Sequence, residues 1–414
     1  MIKPQTLKGF RDFLPEESRK RQYVINTLKK VFELYGFEPL ETPALEYEEI
    51  LLGKYGEEGD KLLYRFEDLG KRKVALRYDQ TVPLARVVAQ YQDILPMPFK
   101  RYQIQPVWRA ENTQKGRYRE FVQCDIDTVG TSSPLSDAEI IATAVKGLEK
   151  LGFKNYKINF NSREVLFEKI RQAGVPENLV LTAIRIMDKI KKVGWEKINQ
   201  ELINSGISEK SANTLNELHS KTQPIEGKNM NEIWEICFKM GIKLNWDLTL
   251  ARGLDYYTGL IFEIEIPEYQ AGSICGGGRY DNLIGMFAYK QIPAVGCAFG
   301  FDRTIEAMDA LNLFPAEMTT ATVLVTVFSP ELKNSSLKLS SQLRSNNIYT
   351  ELYLDEKIKL DKQLKYADKK GIPYALIIGP DEVKNNSVTL KNLKEKSQRT
   401  ISQNELLAQL LKSS

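Results

Sequence analysis

Residues 252–259, with the sequence RGLDYYTG, combine side chains that could bind a small charged ligand. An arginine, an aspartate and two adjacent tyrosines are interrupted by glycines. A planar guanidinium pairs with carboxylates and phosphates through parallel hydrogen bonds, and a tyrosine adds a hydroxyl to an aromatic surface. The segment predicts a pocket for a zwitterionic, ring-bearing ligand next to a phosphate. The alternative is a partly buried strand with an ion pair at its edge.

A second group of such residues lies in the segment 101–130. Arg109 and Glu111 are two apart on a predicted strand and therefore share a face. The loop ENTQKGRYRE follows, and Phe121 begins a returning strand. This predicts a hairpin in which an arginine neutralises a phosphate, a carboxylate accepts from an adenine amino group and a phenyl ring stacks on a purine. Basic loop residues that could reach further phosphates are Lys115, Arg117 and Arg119. A charged hairpin at a sheet edge is the alternative.

The only histidine of the chain, His219, lies in a polar helical stretch. A single histidine excludes histidine pairs that bind a metal or relay protons. The four cysteines (Cys124, Cys237, Cys275 and Cys297) contain no CxxC pair, which argues against a zinc knuckle and fits a reducing cytoplasm. Any chemistry is therefore expected to depend on arginine, lysine, carboxylates and the substrates' own groups.

Composition indicates a globular protein of two to three domains, because the chain has 414 residues, 42% of them hydrophobic and 27% charged. No apolar run reaches the length of a membrane span, and the N-terminal segment has no secretory pattern. Residues 321–414 contain 15 Lys/Arg and 10 Asp/Glu, which leaves a net charge of −1 for the rest of the +4 chain. A weakly basic C-terminal segment fits nucleic-acid contact or an ordinary solvated surface.

The pattern of residues predicts an α+β fold. Apolar spacing indicates a helix over residues 15–35, and alternating segments between residues 62 and 130 indicate an antiparallel sheet. Ser136 and Glu139 predict a capping box at the start of the next helix. Short helices ended by glycine suggest a helical insertion at about 165–240. A boundary near residues 314–317 separates residues 1–318 from a compact α/β domain at 321–414.

Several motifs in order resemble the histidyl-tRNA synthetase family of class II aminoacyl-tRNA synthetases. GFEPLETPALE around Pro43 is similar to class II motif 1, the Arg-x-Glu hairpin to motif 2, and GCAFGFDR, ending at Arg303, to motif 3. RGLDYYTG and SICGGGRYDNLIGMF resemble the two signatures of the histidine family. KGFRDFLPEE, LRYDQTVPLARVVA and the C-terminal domain also match. The resemblance implies an antiparallel catalytic domain flanked by helices, the helical insertion, and an anticodon-binding domain.

The resemblance also implies site residues. Those for ATP are Arg109, Glu111, Arg119, Phe121 and Arg303, with Arg119 near the β- and γ-phosphates. Those for histidine are Asp79, Thr81, Arg109, Gln123, Asp127, Arg252, Tyr256 and Tyr257, of which Arg109 and Arg252 are catalytic. Gln114 and Arg117 are candidates for contact with the tRNA acceptor end. The family often has glutamate at positions 79 and 127, so the contact distances of the two aspartates stay open.

The implied reaction joins histidine and ATP into histidyl-adenylate and then transfers histidine to tRNA(His). Mg²⁺ would bind through the ATP phosphates, without a dedicated protein site. The implied assembly is a homodimer with motif 1 at its interface, in the cytoplasm and not at a membrane. The glycines of GGGRYD would approach the substrate as bare backbone, or simply form a tight turn.

Two other functions are compatible with the same fold. One is a regulatory paralogue, a binding module that keeps the fold and helps control histidine biosynthesis without charging tRNA, although such paralogues typically lack the C-terminal domain and some of the motif arginines. The other is a class II synthetase for proline, threonine or glycine, against which RGLDYYTG argues.

Overall fold

The computed structural model describes residues 2–54, 60–113, 118–220, 225–252, 256–270, 272–316 and 318–412. The chain divides into two compact units. The first contains residues 1–14 and 20–314, and the second contains residues 15–19 and 315–414. None of the described helices combines the length and apolar character that crossing a lipid bilayer requires.

The first unit is built on a sheet of eight strands within the described ranges, in the order β1-β5-β6-β11-β10-β9-β7-β8. Its pairs are antiparallel except β1–β5 and β7–β8 at the two edges. A small antiparallel sheet has the order β2-β4-β3. The strands are β1 (Glu38–Pro39), β2 (Leu45–Tyr47), β3 (Arg65–Glu67), β4 (Lys73–Leu76), β5 (Phe99–Trp108), β6 (Glu120–Val129), β7 (Lys157–Ser162), β8 (Leu244–Trp246), β9 (Leu260–Glu265), β10 (Cys275–Arg279) and β11 (Ala294–Gly300).

Helices surround this sheet, and several short ones follow each other between β7 and β8, where the insertion was predicted. They are α1 (Pro15–Leu34, of which 20–34 belong to this unit), α2 (Glu48–Leu51), α3 (Thr81–Tyr91), α4 (Pro134–Lys150), α5 (Arg163–Gln172), α6 (Val180–Met187), α7 (Ile190–Val193), α8 (Trp195–Asn204), α9 (Glu209–Ser220), α10 (Lys228–Lys239) and α11 (Phe301–Ala310).

The alternation of side chains in β6 explains why the sheet has two unlike faces. Cys124 and Ile126 are fully buried in the core that α1, α4 and α11 share with the sheet. Gln123, Asp125 and Asp127 alternate with them and lie on the opposite face. The apolar face therefore anchors the sheet, and the polar face remains for a ligand.

The second unit has its own five-stranded sheet, in the order β13-β12-β14-β15-β16, and its own apolar core. β12 pairs in parallel with β13 and β14, while β14, β15 and β16 pair antiparallel. The elements are β12 (Val323–Val325), α12 (Lys333–Ser345), β13 (Thr350–Leu352), α13 (Leu360–Lys370), β14 (Tyr374–Ile377), α14 (Pro380–Lys384), β15 (Ser387–Asn392), β16 (Ser397–Ser402) and α15 (Gln403–Lys412). The predicted α+β class, with a separate C-terminal sheet, is confirmed.

Local predictions were less accurate than the fold class. The capping box at Ser136 and Glu139 was wrong, because α4 begins earlier, at Pro134. The hydroxyl of Ser133 accepts the N–H of Leu135 at 3.3 Å, so Ser133 caps the helix. Proline is favoured in the first helical turn, since it has no N–H to satisfy.

Two strand assignments also need correction. The segment from Val74 to Tyr91 is only partly a strand, since β4 ends at Leu76 and α3 begins at Thr81. Arg109 and Glu111 lie beyond the end of β5 at Trp108. The N–H of Arg109 still donates to the carbonyl of Arg119 at 2.9 Å, so the hairpin pairing extends past the strand by one bond.

Candidate active site

The polar face of the sheet begins with two neighbouring strands, β5 and β6. Their antiparallel register places residues of β5 directly opposite residues of β6, and opposite pairs share a face. These pairs are Arg101 with Asp127, Gln103 with Asp125, and Gln105 with Gln123. The two strands thus assemble arginine, glutamine and aspartate side chains above the middle of the sheet.

Glycines in β10 and β11 keep the space beside these side chains open. Gly296 lies opposite Asp127, and a Cβ added to it would stand 1.9 Å from Oδ1 of that aspartate. A Cβ added to Gly276 would stand 2.1 Å from Nη1 of Arg252. Both distances are too short for real contacts, so these positions require glycine for close approach.

An outer cavity of about 360 Å³ opens at one end of this polar face. It is lined by four of the five residues predicted to hold ATP, namely Arg109, Glu111, Phe121 and Arg303. The fifth, Arg119, does not line it. Nε of Arg119 instead donates to the carbonyl of Glu111 at 3.1 Å, a contact within the hairpin.

Arg109 lies between two aromatic rings in this cavity. Its guanidinium carbon is 4.3 Å from the ring centre of Tyr78 and 5.0 Å from that of Phe121. Nε donates to the carbonyl of Tyr78 at 3.1 Å. These contacts orient the guanidinium plane before any ligand arrives.

A cluster at the rim of the outer cavity was not assigned from the sequence. The guanidinium of Arg11 stacks 3.2 Å from the ring centre of Tyr118 and pairs with Asp302 at 3.0 Å. Arg21 pairs with the same aspartate. Tyr118 and Asp302 line the cavity. Arg11 lies in the KGFRDF segment, which the resemblance included without assigning a role.

An inner cavity of about 180 Å³ continues along the same face. All eight residues predicted for histidine line it: Asp79, Thr81, Arg109, Gln123, Asp127, Arg252, Tyr256 and Tyr257. The outer and inner cavities share part of their lining, namely Arg109, Gln123, Arg252, Gly276 and Ala298. The guanidiniums of Arg109 and Arg252 therefore lie where the cavities join.

Asp127 is buried in the inner cavity together with a cation and a phenol. Its Oδ2 is 2.7 Å from Nη2 of Arg101, which is fully buried, and its Oδ1 accepts from the hydroxyl of Tyr280. Burial raises the pKa of Asp127, while Arg101 and Tyr280 act to lower it. The pair thus holds a carboxylate in a place where an isolated charge would be costly.

Arg252 is held in an unusual backbone conformation with φ of 52°. The guanidinium of Arg163 donates to the carbonyls of Ala251 and Arg252, each at 3.0 Å, and fixes this turn. Nη1 of Arg252 donates to Oε1 of Glu263 at 3.0 Å. Burial lowers the pKa of Arg252, but Tyr257 and Glu263 outweigh burial and hold it above the usual value.

The two tyrosines of the RGLDYYTG segment form one wall of the inner cavity. Their ring centres are 4.9 Å apart, and Tyr256 also contacts Tyr280 at 5.9 Å. Burial raises the pKa of Tyr256 well above its ordinary value, so the phenol stays neutral. Across the cavity, Oδ1 of Asp79 accepts the N–H of Val82 at 3.1 Å at the start of α3.

Some predicted residues lie outside the described ranges. These are Gln114, Lys115 and Arg117 of the hairpin loop, and residues 253–255 of the RGLDYYTG segment. Among the described residues, no group of three or more histidines, cysteines, aspartates or glutamates is arranged to hold a metal ion. The prediction that no dedicated protein site holds a metal stays a prediction.

The arrangement can bind a molecule with charges of both signs beside a polyanion. The carboxylates of the inner cavity suit a cation, and the two arginines at the junction suit two anions that must approach each other. The aromatic and basic lining of the outer cavity suits a purine nucleotide. Together these features fit the joining of a zwitterion to a nucleotide phosphate.

Comparisons with known proteins point in the same direction. A family model for histidyl-tRNA synthetase matches residues 9–304, and one for an anticodon binding domain matches residues 322–413. The chain is similar to the histidine–tRNA ligase of Cytophaga hutchinsonii, with 39% identity over 99% of this chain and 100% of the relative. It is similar to that of Rhodopirellula baltica, with 39% identity over 97% and 96%. The solved histidyl-tRNA synthetase of Nostoc sp. PCC 7120 matches with a TM-score of 0.87 and 31% identity over 100% of both chains.

Proposed function

The chain belongs to the histidyl-tRNA synthetase family, and from this premise we propose how its residues carry out the reaction. It acts as a histidine–tRNA ligase, a class II aminoacyl-tRNA synthetase that activates histidine with ATP and transfers it to tRNA(His). The observation that carries our assignment of the site is the junction at Arg109 and Arg252, where a cavity suited to a nucleotide meets one suited to an amino acid.

In this proposal ATP occupies the outer cavity. Phe121 stacks on the adenine and Glu111 accepts from its amino group. Arg109 and Arg303 pair with phosphate or ribose oxygens. Arg119 lies toward the β- and γ-phosphates, with its orientation set by the bond from its Nε to the carbonyl of Glu111.

Histidine occupies the inner cavity in this proposal. Its carboxylate faces Arg109 and Arg252, and its α-ammonium lies toward Asp79, Thr81 and Gln123. Its imidazole lies toward Asp127 and the tyrosines at 256 and 257. The buried Arg101–Asp127 pair supports this placement, because a fixed carboxylate can accept from one ring N–H and so select an imidazole.

The first step is an in-line displacement at the α-phosphorus of ATP. A carboxylate oxygen of histidine forms the new bond, and pyrophosphate leaves with the electron pair of the broken bond. Two anions must come together, and negative charge increases on the α-phosphoryl oxygens as they do. Arg109 and Arg252 neutralise both charges from positions that packing has already fixed.

The second step transfers histidine to tRNA. A ribose hydroxyl of the terminal adenosine attacks the acyl carbon, and AMP leaves. We propose that a phosphate oxygen of the adenylate takes the hydroxyl proton. No histidine is among the described residues that line the two cavities, which supports a role for the substrate's own base.

Mg²⁺ enters with ATP in this proposal. It favours oxygen ligands and usually binds through phosphates while keeping several waters. The outer cavity fits such a complex, because Arg109 and Arg303 in its lining would neutralise only part of the charge of a triphosphate. The ion supplies neutralisation of the outer phosphates, and no protein side chain is assigned to it.

The tRNA is expected to contact both domains. We propose that residues 1–318, with the insertion at about 165–240, form the catalytic domain and that residues 321–414 bind the anticodon. Gln114 and Arg117 stay candidates for the acceptor end. The net charge of +5 in residues 321–414 supports nucleic-acid contact there.

We also propose that the protein works in the cytoplasm. Its four cysteines, all of them among the described residues, are free thiols, which fits a reducing compartment.

We expect the protein to be a homodimer. Motif 1 around Pro43 ends within β2, where Leu45 of the motif and Tyr47 just after it are 43% and 52% exposed, and such apolar surface is normally covered. Sedimentation at micromolar concentration should give twice the chain mass. A fully active protein with the mass of one chain would contradict this expectation.

Charging of tRNA by the purified chain is the experiment that tests the function. We expect histidine to become attached to tRNA(His) when ATP is present. A chain that binds histidine but leaves tRNA uncharged would instead be a regulatory paralogue. The arginines at 109, 252 and 303 and the second unit favour the ligase.

A further inference from the structure

Asp125 is a buried carboxylate of the inner cavity that has no role in the reaction described above. It lies on β6 between Gln123 and Asp127 and shares their face of the sheet. Its exposure is 3%, and it lines the inner cavity. A buried carboxylate without a structural partner is costly, so its presence at a ligand site calls for an explanation.

One carboxylate oxygen of Asp125 accepts no hydrogen bond from the described residues. Within the part of the chain that the structure describes, its Oδ1 has no hydrogen-bond partner. The two other aspartates of the cavity are engaged by protein groups. Asp127 contacts Arg101 and Tyr280, and Oδ1 of Asp79 accepts a backbone N–H. A ligand can still use the remaining lone pairs of those two carboxylates, whereas Oδ1 of Asp125 has both of its lone pairs left.

Small residues lie beside Asp125 on the neighbouring strands. Ala298 lies directly opposite Asp125 on β11, and Gly276 lies opposite Ala298 on β10. Both small residues line the outer and inner cavities. On the other side, the amide of Gln103 already donates to Thr42 and Gln105, so it does not compensate the carboxylate.

The charges around Asp125 favour a cation. Three carboxylates line the inner cavity. Among the cations, Arg101 pairs with Asp127, while Arg109 and Arg252 line the cavity where it joins the outer one. Burial raises the pKa of Asp125 well above its ordinary value; Arg101 opposes this rise, while Asp127 and Asp79 add to it. A positively charged group bound beside Asp125 would stabilise its ionised form.

The spacing of the sheet fits the α-ammonium of an amino acid. Nη1 of Arg252 lies over Gly276, two strands away from Asp125 in the same row. Two strand spacings span roughly 10 Å, a separation at which one small molecule can contact groups on both strands with its two charged ends.

We propose that Asp125 binds the α-ammonium of histidine and makes the site reject ligands that lack this group. The inference rests on the proposed function, because it takes histidine as the ligand and Arg252 as the partner of its carboxylate. Asp79, Thr81 and Gln123 would complete the ammonium site.

Asp125→Asn, which keeps the shape and removes the charge, provides the test. The KM for histidine in ATP–pyrophosphate exchange should rise about ten- to a hundredfold, the range expected for one charge-assisted hydrogen bond. The KM for ATP should stay within about twofold. The inhibition constant of 3-(imidazol-4-yl)propanoate, which lacks the amine, should not change, whereas that of histamine should rise in parallel with the KM for histidine. Asp309→Asn, an exposed aspartate on α11, is the matched control and should behave like the natural protein.

Thermal unfolding of the ligand-free variant separates binding from a structural role. Asp125→Asn removes a buried charge that no protein cation compensates directly, so the unfolding temperature should be unchanged or higher. Asp125→Ser serves as a second variant if the amide misfolds. Equal losses for histidine and the amine-free analogue, or a lower unfolding temperature with all constants impaired, would overturn the inference. Absence of histidine-dependent exchange in the natural protein would instead overturn the proposed function, and the inference with it.

Discussion

Replacing Arg252 with alanine should lower the rate of adenylate formation about a hundred- to a thousandfold, the usual cost of losing one preorganised contact to a developing charge. A guanidinium between two reacting anions interacts more strongly with the transition state than with the bound substrates. ATP binding should weaken much less, because Arg109, Phe121 and Arg303 remain in the outer cavity. Rapid-quench measurement at saturating ATP and histidine gives the rate directly.

Arg252→Lys should recover only part of this rate. An ammonium lacks the planar fork that can serve two anions at once, and it cannot reproduce the shape that fills the space over Gly276. Arg171→Ala is a matched control, because that arginine is exposed on the insertion and pairs with Glu177. A near-normal rate in a folded Arg252→Ala protein would mean that the RGLDYYTG segment is only structural.

Replacing Arg101 with leucine should destabilise the protein by about 3–5 kcal/mol, because it leaves Asp127 buried without its cation. Histidine activation should be lost at the same time, since the carboxylate that faces the imidazole is no longer held. Unfolding in urea and the KM for histidine measure the two effects. Unchanged stability would show that the ion pair does not support the fold.

The loss of stability should depend on pH. Burial already raises the pKa of Asp127, and removal of Arg101 should raise it further. In the variant, Asp127 then ionises at a lower pH in the unfolded chain than in the folded one. The loss of stability therefore grows as pH rises from the unfolded to the folded pKa of Asp127, and it shrinks toward acid pH. The double variant Arg101→Leu, Asp127→Leu should regain most of the stability but not histidine activation, which separates the two roles of the pair.

Much of the site could be predicted because the motifs that resemble the family are short and contiguous in the sequence. The RGLDYYTG segment and the Arg-x-Glu hairpin contain most of the predicted contacts within short stretches, and all eight residues predicted for histidine line the inner cavity. The alternation of residues between 62 and 130 also indicated an antiparallel sheet. These signals depend on neighbours in the chain, which a sequence shows directly.

Other features depend on pairing between distant residues. Arg101 lies on β5, and Asp125 and Asp127 lie on β6. Only the register of β5 against β6 identifies Arg101 as the partner of Asp127. Tyr280, the residue after β10, reaches that carboxylate from more than a hundred residues later in the chain. The bond from Arg119 to the carbonyl of Glu111 could not be predicted for a similar reason, because it depends on how the hairpin closes.

ATP–pyrophosphate exchange by the full chain, with each of the twenty amino acids in turn, tests the central claim most directly. With Mg²⁺ present and no tRNA, we expect histidine alone to support rapid exchange, because the inner cavity combines a site for the α-ammonium with a fixed carboxylate for the imidazole. Removal of Mg²⁺ with EDTA should stop the exchange. Exchange supported by proline, threonine or glycine, or histidine binding without any exchange, would contradict the account.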